Sequence, residues 1–231
     1  MRQITDAFDS TRRAQTLLVL LPPAQARPED FLAQGFVAAV RARGIRADLA
    51  LVETTYQHLM DKTGVSLLHE QVVLPAQAAG YAQVWLAGIS LGALHALYYV
   101  AEHARHLAGV HLMAPYPGTS DVLAEIHTAG GPLAWADAPY EGQGDERVWW
   151  RWLCREAQSG QWATPVHLST GSEDRFVRGQ RLMADLLPAA HVRTVPGGHA
   201  WPVWQALWQQ WLDHGPLALP AVQAQTGASG G

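Results

Sequence analysis

Short unbroken apolar runs alternate along this chain with longer stretches whose apolar residues recur every three or four positions. Runs of the first kind suit buried strands and stretches of the second kind suit amphipathic helices. Leu17 to Leu21, Ala47 to Val52, Gln83 to Ile89, Val110 to Met113, Pro165 to Thr170 and Val192 to Val195 read as strands. Between them, helices are expected over Pro28 to Gly44, about Ser66 to Ala79, Leu91 to His106, Val177 to Leu187 and Trp201 to Leu212. Pro28 suits a first helical position, Glu29 and Asp30 complement the positive end of the dipole, and Gly44 suits a helix end. This alternation predicts an α/β protein: an open, mostly parallel sheet of about six strands with helices on both faces.

The rhythm breaks between Ala114 and Ala163, which hold glycines, prolines and five tryptophans (Trp135, Trp149, Trp150, Trp152, Trp162). A connection this long in a compact domain predicts an inserted cap. The expected organisation is an extension over 1–15, a core over 16–114 and 163–215, a cap over 115–162 and a flexible tail over 216–231. The tail ends in the small polar run Thr226 to Gly231. Trp201, Trp204, Trp208 and Trp211 form a helical stripe that reads as core packing. The cap tryptophans have two readings, a small core of their own or an apolar acyl pocket, for which Trp135, Trp149 and Trp150 are the candidates.

Composition narrows the function classes. The 231 residues are 48% hydrophobic and 16% charged, an ordinary globular balance. A net charge of -4 without a basic run argues against a nucleic-acid partner. No apolar run reaches the 18 or so residues of a membrane span. Arg12-Arg13, Leu17 to Leu21 and Ala24-Gln25-Ala26 imitate an export signal, but Pro22-Pro23 cut the apolar core below the usual length of about 7–15 residues. A single cysteine, Cys154, excludes an internal disulfide framework and fits a reducing, cytoplasmic setting. Lys62, the one lysine, lies in a polar stretch with no sign of Schiff-base chemistry.

The chemistry concentrates in three places. Gly88-Ile89-Ser90-Leu91-Gly92 places a serine between a strand and a helix, where flanking glycines permit the tight turn of a nucleophile. Serine needs a base, and His199 follows the strand ending at Val195 through Pro196-Gly197-Gly198, at the carboxyl edge of the sheet. By contrast His95, His103 and His106 ride the helix after Ser90, and His111, His167 and His191 lie in or beside strands. His103 and His106 are three apart, but only Glu102 supports a metal there, so no metal site is expected. An acid should follow another strand: Asp174 in Gly171-Ser172-Glu173-Asp174 is the candidate, with Glu173 its competitor. For an oxyanion hole, the Leu91 N–H is one donor. The second should come from the loop after the first strand, where Pro22 and Pro23 have no N–H, leaving Ala24 with Gln25 behind it.

Together the elbow, Gly171-x-x-Asp174-x-x-Val177 and Gly197-Gly198-His199 resemble the α/β-hydrolase family over about Thr16 to Leu212, the cap excepted. The resemblance implies a Ser90–His199–Asp174 triad and an acyl-enzyme mechanism that needs no cofactor. Two departures stand out: Pro22-Pro23 replace the usual His-Gly before the oxyanion loop, and the sheet is expected to begin at the family's third strand. The implied activity is hydrolysis of a small-molecule ester or thioester with an apolar acyl group. Acyl transfer or a lyase reaction on the same residues, or a non-catalytic ligand-binding module, are the rival readings.

Overall fold

Five consecutive apolar residues after a threonine can be buried only if both strand faces are covered, the threonine hydroxyl finding its partner in Gln83. That is what happens to Thr16–Leu21, in which Leu18, Val19, Leu20 and Leu21 are wholly shielded. The computed structural model describes residues 1–137, 139 and 145–219; the polar run Thr226 to Gly231 lies outside the described residues. Its strands are β1 (Gln3–Asp6), β2 (Thr16–Leu21), β3 (Ala47–Val52), β4 (Gln83–Ile89), β5 (Gly109–Met113), β6 (Val166–Gly171) and β7 (Val192–Val195). They form one sheet in the order β1-β3-β2-β4-β5-β6-β7. All neighbours are parallel except β1, which runs antiparallel to β3.

The six strands read from the sequence are thus joined by a seventh. β1 comes from the segment expected to be an extension, and it stands where the sheet was expected to start with β2. It alternates exposed and half-buried residues, as an edge strand does, and so lacks an apolar run. Asp48, buried on β3, holds the chain that follows β1: its carboxylate accepts the N–H groups of Phe8 and Ala14 and the hydroxyl of Tyr81.

Side chains alternate across the sheet. Leu17, Val19 and Leu21 face a layer containing α6 (Leu91–His103), while Leu18 and Leu20 face α1 (Pro28–Ala33), α2 (Phe36–Ala42) and α11 (Trp201–His214). Each such leucine contributes about 1.5–3 kcal/mol by leaving water. The single helix expected from Pro28 to Gly44 is two, because Gly35 takes φ +76° and turns the chain between them. Between β3 and β4 run α3 (Tyr56–Met60), α4 (Gly64–Leu68), a π-helical turn (His69–Val73) and α5 (Leu74–Ala78). Between β5 and β6 lie α7 (Ser120–Thr128), α8 (Pro132–Ala136) and α9 (Glu146–Ser159), and α10 (Val177–Ala184) follows β6. The tryptophan stripe of α11 packs as core: Trp208 stacks on Phe36 at 5.7 Å and Trp211 on His111 at 4.6 Å.

Among the described glycines, the closest backbone approach lies where β2, β4 and α6 meet. A Cβ on Gly92 would sit 2.1 Å from the Leu21 carbonyl oxygen, and one on Gly88 2.4 Å from the Gly92 backbone. Neither neighbour is a flexible side chain, so Gly92→Ala should destabilise the fold by about 1–3 kcal/mol or more, measured as a lower urea midpoint.

Burial also fixes three imidazoles. It pushes His95 and His167 down to about 4, from an ordinary 6.5, and His111 well below its ordinary value. Between pH 6.5 and 4 the unfolded chain therefore binds protons that the folded chain refuses, and stability falls as pH falls. Urea midpoints at pH 7, 5.5 and 4.5 should decline in that order, less steeply in His95→Gln and His167→Gln.

Candidate active site

At the end of β4 the backbone must reverse into α6 within one residue, and Ser90 makes the reversal. Its φ of +51° and ψ of -106° lie outside the regions favoured by side-chain-bearing residues, a strain of about 1–3 kcal/mol. Two backbone bonds hold it, from Ser90 N–H to Met113 O (3.0 Å) and from Leu94 N–H to Ser90 O (3.1 Å). The result is a hydroxyl at the first turn of α6, where N–H groups have no helical partner.

The loops after β6 and β7 are stitched to each other. Ser172 N–H donates to Val195 O and Glu173 N–H to Gly197 O, while a Cβ on Gly171 would meet the Gly197 oxygen at 2.3 Å. This contact aims both loops at the serine. His199 Nδ1–H donates to Asp174 Oδ2 at 2.7 Å, and its Nε2 accepts the Ser90 hydroxyl at 2.9 Å. Asp174 is 2% exposed, whereas the neighbouring Glu173 is exposed to solvent. Burial alone would raise the Asp174 carboxyl. The bonds from His199 and from Phe176 N–H outweigh it and hold the group below its ordinary range, hence ionised. An ionised Asp174 fixes the tautomer: Nδ1 carries the proton and Nε2 the lone pair. Phe176 and Trp204 hold the imidazole edge-to-face, each with its ring centre 5.1 Å away.

A cavity of about 610 Å³ opens over Ser90. Its walls are largely apolar: Tyr56, Leu59, Met60 and Val65 on one side, Leu94 and Tyr98 of α6 beneath, Tyr116 and Phe176 opposite. Lys62 and Arg175 are set against Glu102, Asp145 and Glu146, so the polar part has no single sign. Ala24 and Leu91 also reach this cavity, and Ala24 borders a second groove beside His199.

The three tryptophans offered by the sequence for a pocket do not line it. Trp149 and Trp150 are fully buried and stacked on each other at 5.0 Å, Trp150 donating to Pro117 O, and Trp135 is 6% exposed. The amphipathic α9 buries this stripe in the main core beside α6, because apolar area on a helix face finds its largest partner in the sheet layer. The wall that the sequence reading missed is α3 and the residues after it. Tyr56, Leu59 and Met60 at helical spacing after the capping Thr55 were the available signal. His95 ties this wall to α6: its Nε2–H donates to Thr55 O at 3.1 Å, and Gly64 leaves room beside the ring.

No family model and no curated protein matches the chain. Solved structures do. The fluorophosphonate-binding serine hydrolase FphF of Staphylococcus aureus is 10% identical, with a TM-score of 0.60 over 88% of this chain and 85% of that one. The S-formylglutathione hydrolase FrmB of the same species is 9% identical, with a TM-score of 0.58 over 88% and 82%. Est1E of Butyrivibrio proteoclasticus, in a structure with ferulic acid bound, is 13% identical, with a TM-score of 0.57 over 92% and 94%. At such identities the likeness speaks for architecture, and with the seven-stranded sheet it is sufficient for one conclusion: this chain has the α/β-hydrolase fold.

Proposed function

We propose that the protein is a serine hydrolase that cleaves a carboxylic ester or thioester of a bulky apolar acid through an acyl-enzyme. The observation that carries this reading is the continuous hydrogen-bond chain Asp174–His199–Ser90 opening into an apolar cavity. In the proposed reaction Ser90 Oγ attacks the carbonyl carbon as His199 Nε2 takes the hydroxyl proton. Asp174 stays ionised and stabilises the imidazolium so formed. The Leu91 N–H, at the positive end of α6, and the Ala24 N–H, beyond the two prolines, are the donors proposed for the developing oxyanion. His199 then gives its proton to the leaving oxygen or sulfur, and a water activated by the same nitrogen releases the acid. Each proton and the acyl group pass through side chains, so this scheme uses no cofactor.

Tyr56, Met60, Leu94, Tyr98, Tyr116 and Phe176 supply a surface for an aliphatic or aromatic acyl group. The ferulic acid seen in Est1E, a structurally similar protein, supports an acid of that size. The cavity lies against α3 rather than the tryptophans of α9, which supports seating the acyl group on that side of Ser90.

A fluorophosphonate probe should label the native protein and leave Ser90→Ala unlabelled; labelling of Ser90→Ala would overturn the reading. With p-nitrophenyl esters and acyl thioesters of graded length, Asp174→Asn should lower kcat about 10⁴-fold, while Glu173→Gln leaves it unchanged. Robust labelling with no turnover of either series would favour acyl transfer instead. Leu94→Trp, which fills the floor of the cavity, should lower kcat/KM for long and aromatic acyl esters while sparing the acetate.

A further inference from the structure

At the end of α6 remote from Ser90, three histidines meet that the sequence kept apart. His103 and His106 come from α6 and the turn after it, and His69 comes from the start of the π-helical turn that precedes α5. One ring nitrogen from each lies within 4.8 Å of the others. His69 stacks on His103 with ring centres 3.9 Å apart, and His106 presents its ring to His69 at 74° and 4.9 Å. His103 and His106 had only Glu102 beside them in the sequence and so gave no metal site; the fold adds the third imidazole.

We propose that His69, His103 and His106 bind a divalent transition-metal ion of the zinc class, with water completing the coordination. Imidazole suits zinc, and three protein ligands with an open fourth position is a common arrangement for it. Zn–N bonds of 2.0–2.1 Å in a tetrahedral set place the nitrogens about 3.3 Å apart, so the rings need to close by up to about 1.5 Å, and the parallel His69 and His103 must turn until their in-plane lone pairs converge. All three are half-buried surface side chains, with room to make that adjustment.

Two of the rings are already oriented from behind, as metal-binding imidazoles are. Gln77 Nε2 donates to His106 O at 3.0 Å, which fixes its amide so that Oε1 faces His106 Nδ1 at 3.2 Å. Nδ1 must therefore carry the proton, and Nε2 carries the lone pair. His69 Nδ1 lies 3.0 Å from the hydroxyl of the buried Tyr99. When Nδ1–H donates to that oxygen, His69 Nε2 is likewise free to bind. The π-helical turn fits this picture, since such wide turns recur at functional positions.

The site is some 13 residues along α6 from Ser90, about 20 Å at the helical rise. It is thus separate from the proposed reaction centre, and its effect is to clamp the turn of His69–Val73 onto the end of α6. Protein stripped with a chelator and titrated with Zn²⁺ should bind one ion per chain by calorimetry. At a hundredfold excess over Kd the melting temperature should rise by about 5–10 °C. His103→Ala and His106→Ala should each weaken binding at least tenfold, by the loss of one of three ligands, with ester turnover unchanged. His127→Ala, on α7, should bind as the native chain does. Should His103→Ala fail to fold, His106→Gln, at the edge of the cluster, carries the test with its circular dichroism as control. Absence of saturable binding, or one-to-one binding that survives the double change at His103 and His106, would overturn the proposal.

Discussion

The backbone-to-backbone contact of Gly92 with Leu21 is the constraint on which the rest of the structure depends. Because no side chain separates them, the end of β2 and the start of α6 share one small volume. That closeness brings the loop of Ala24 beside the first turn of α6, and so puts the N–H groups proposed for the oxyanion on either side of Ser90. It also locks the reversal at Ser90, whose positive φ would relax if α6 could move away from the sheet. A second contact of the same kind, Gly171 against Gly197, does for the loops of Asp174 and His199 what the first does for the serine. Three close glycines therefore set the geometry in which Ser90, Asp174 and His199 meet.

Electrostatics then divides the histidines by task. His111, His95 and His167 are kept neutral by burial; His95 bonds the Thr55 carbonyl and His111 the Ser169 hydroxyl. His199 is the one held between a carboxylate and a hydroxyl. Its neighbours Phe176 and Trp204 fix the ring by shape and contribute no competing acceptor, so the imidazole's two nitrogens face only Asp174 and Ser90.

Features imposed by the local backbone were legible in the sequence. Glycines on either side of Ser90, and before His199, announce turns that only glycine can make, and the fold class followed from apolar runs too long to leave one face wet. What was not legible depended on partners distant in the chain. β1 carries no apolar run because an edge strand needs none. Tryptophans of α9 look alike whether they fill a core or line a pocket, and only the position of α6 decides that they fill the core. The cavity wall of α3 was hidden because exposed Tyr56 and Met60 read as surface. His69 lies 34 residues before His103, a separation at which spacing says nothing about proximity.

The order of the reactive residues along the chain has a consequence for the protein's own synthesis. Ser90 precedes His199 by 109 residues and Asp174 precedes it by 25. At a translation rate of about 5–20 residues per second, the Ser90 hydroxyl exists for roughly 5–20 s before its hydrogen-bond partner His199 has been made. The hydrogen-bonded trio of Asp174, His199 and Ser90 therefore cannot form until β7 and the loop after it have been made, so the trio arrives together with the completed fold.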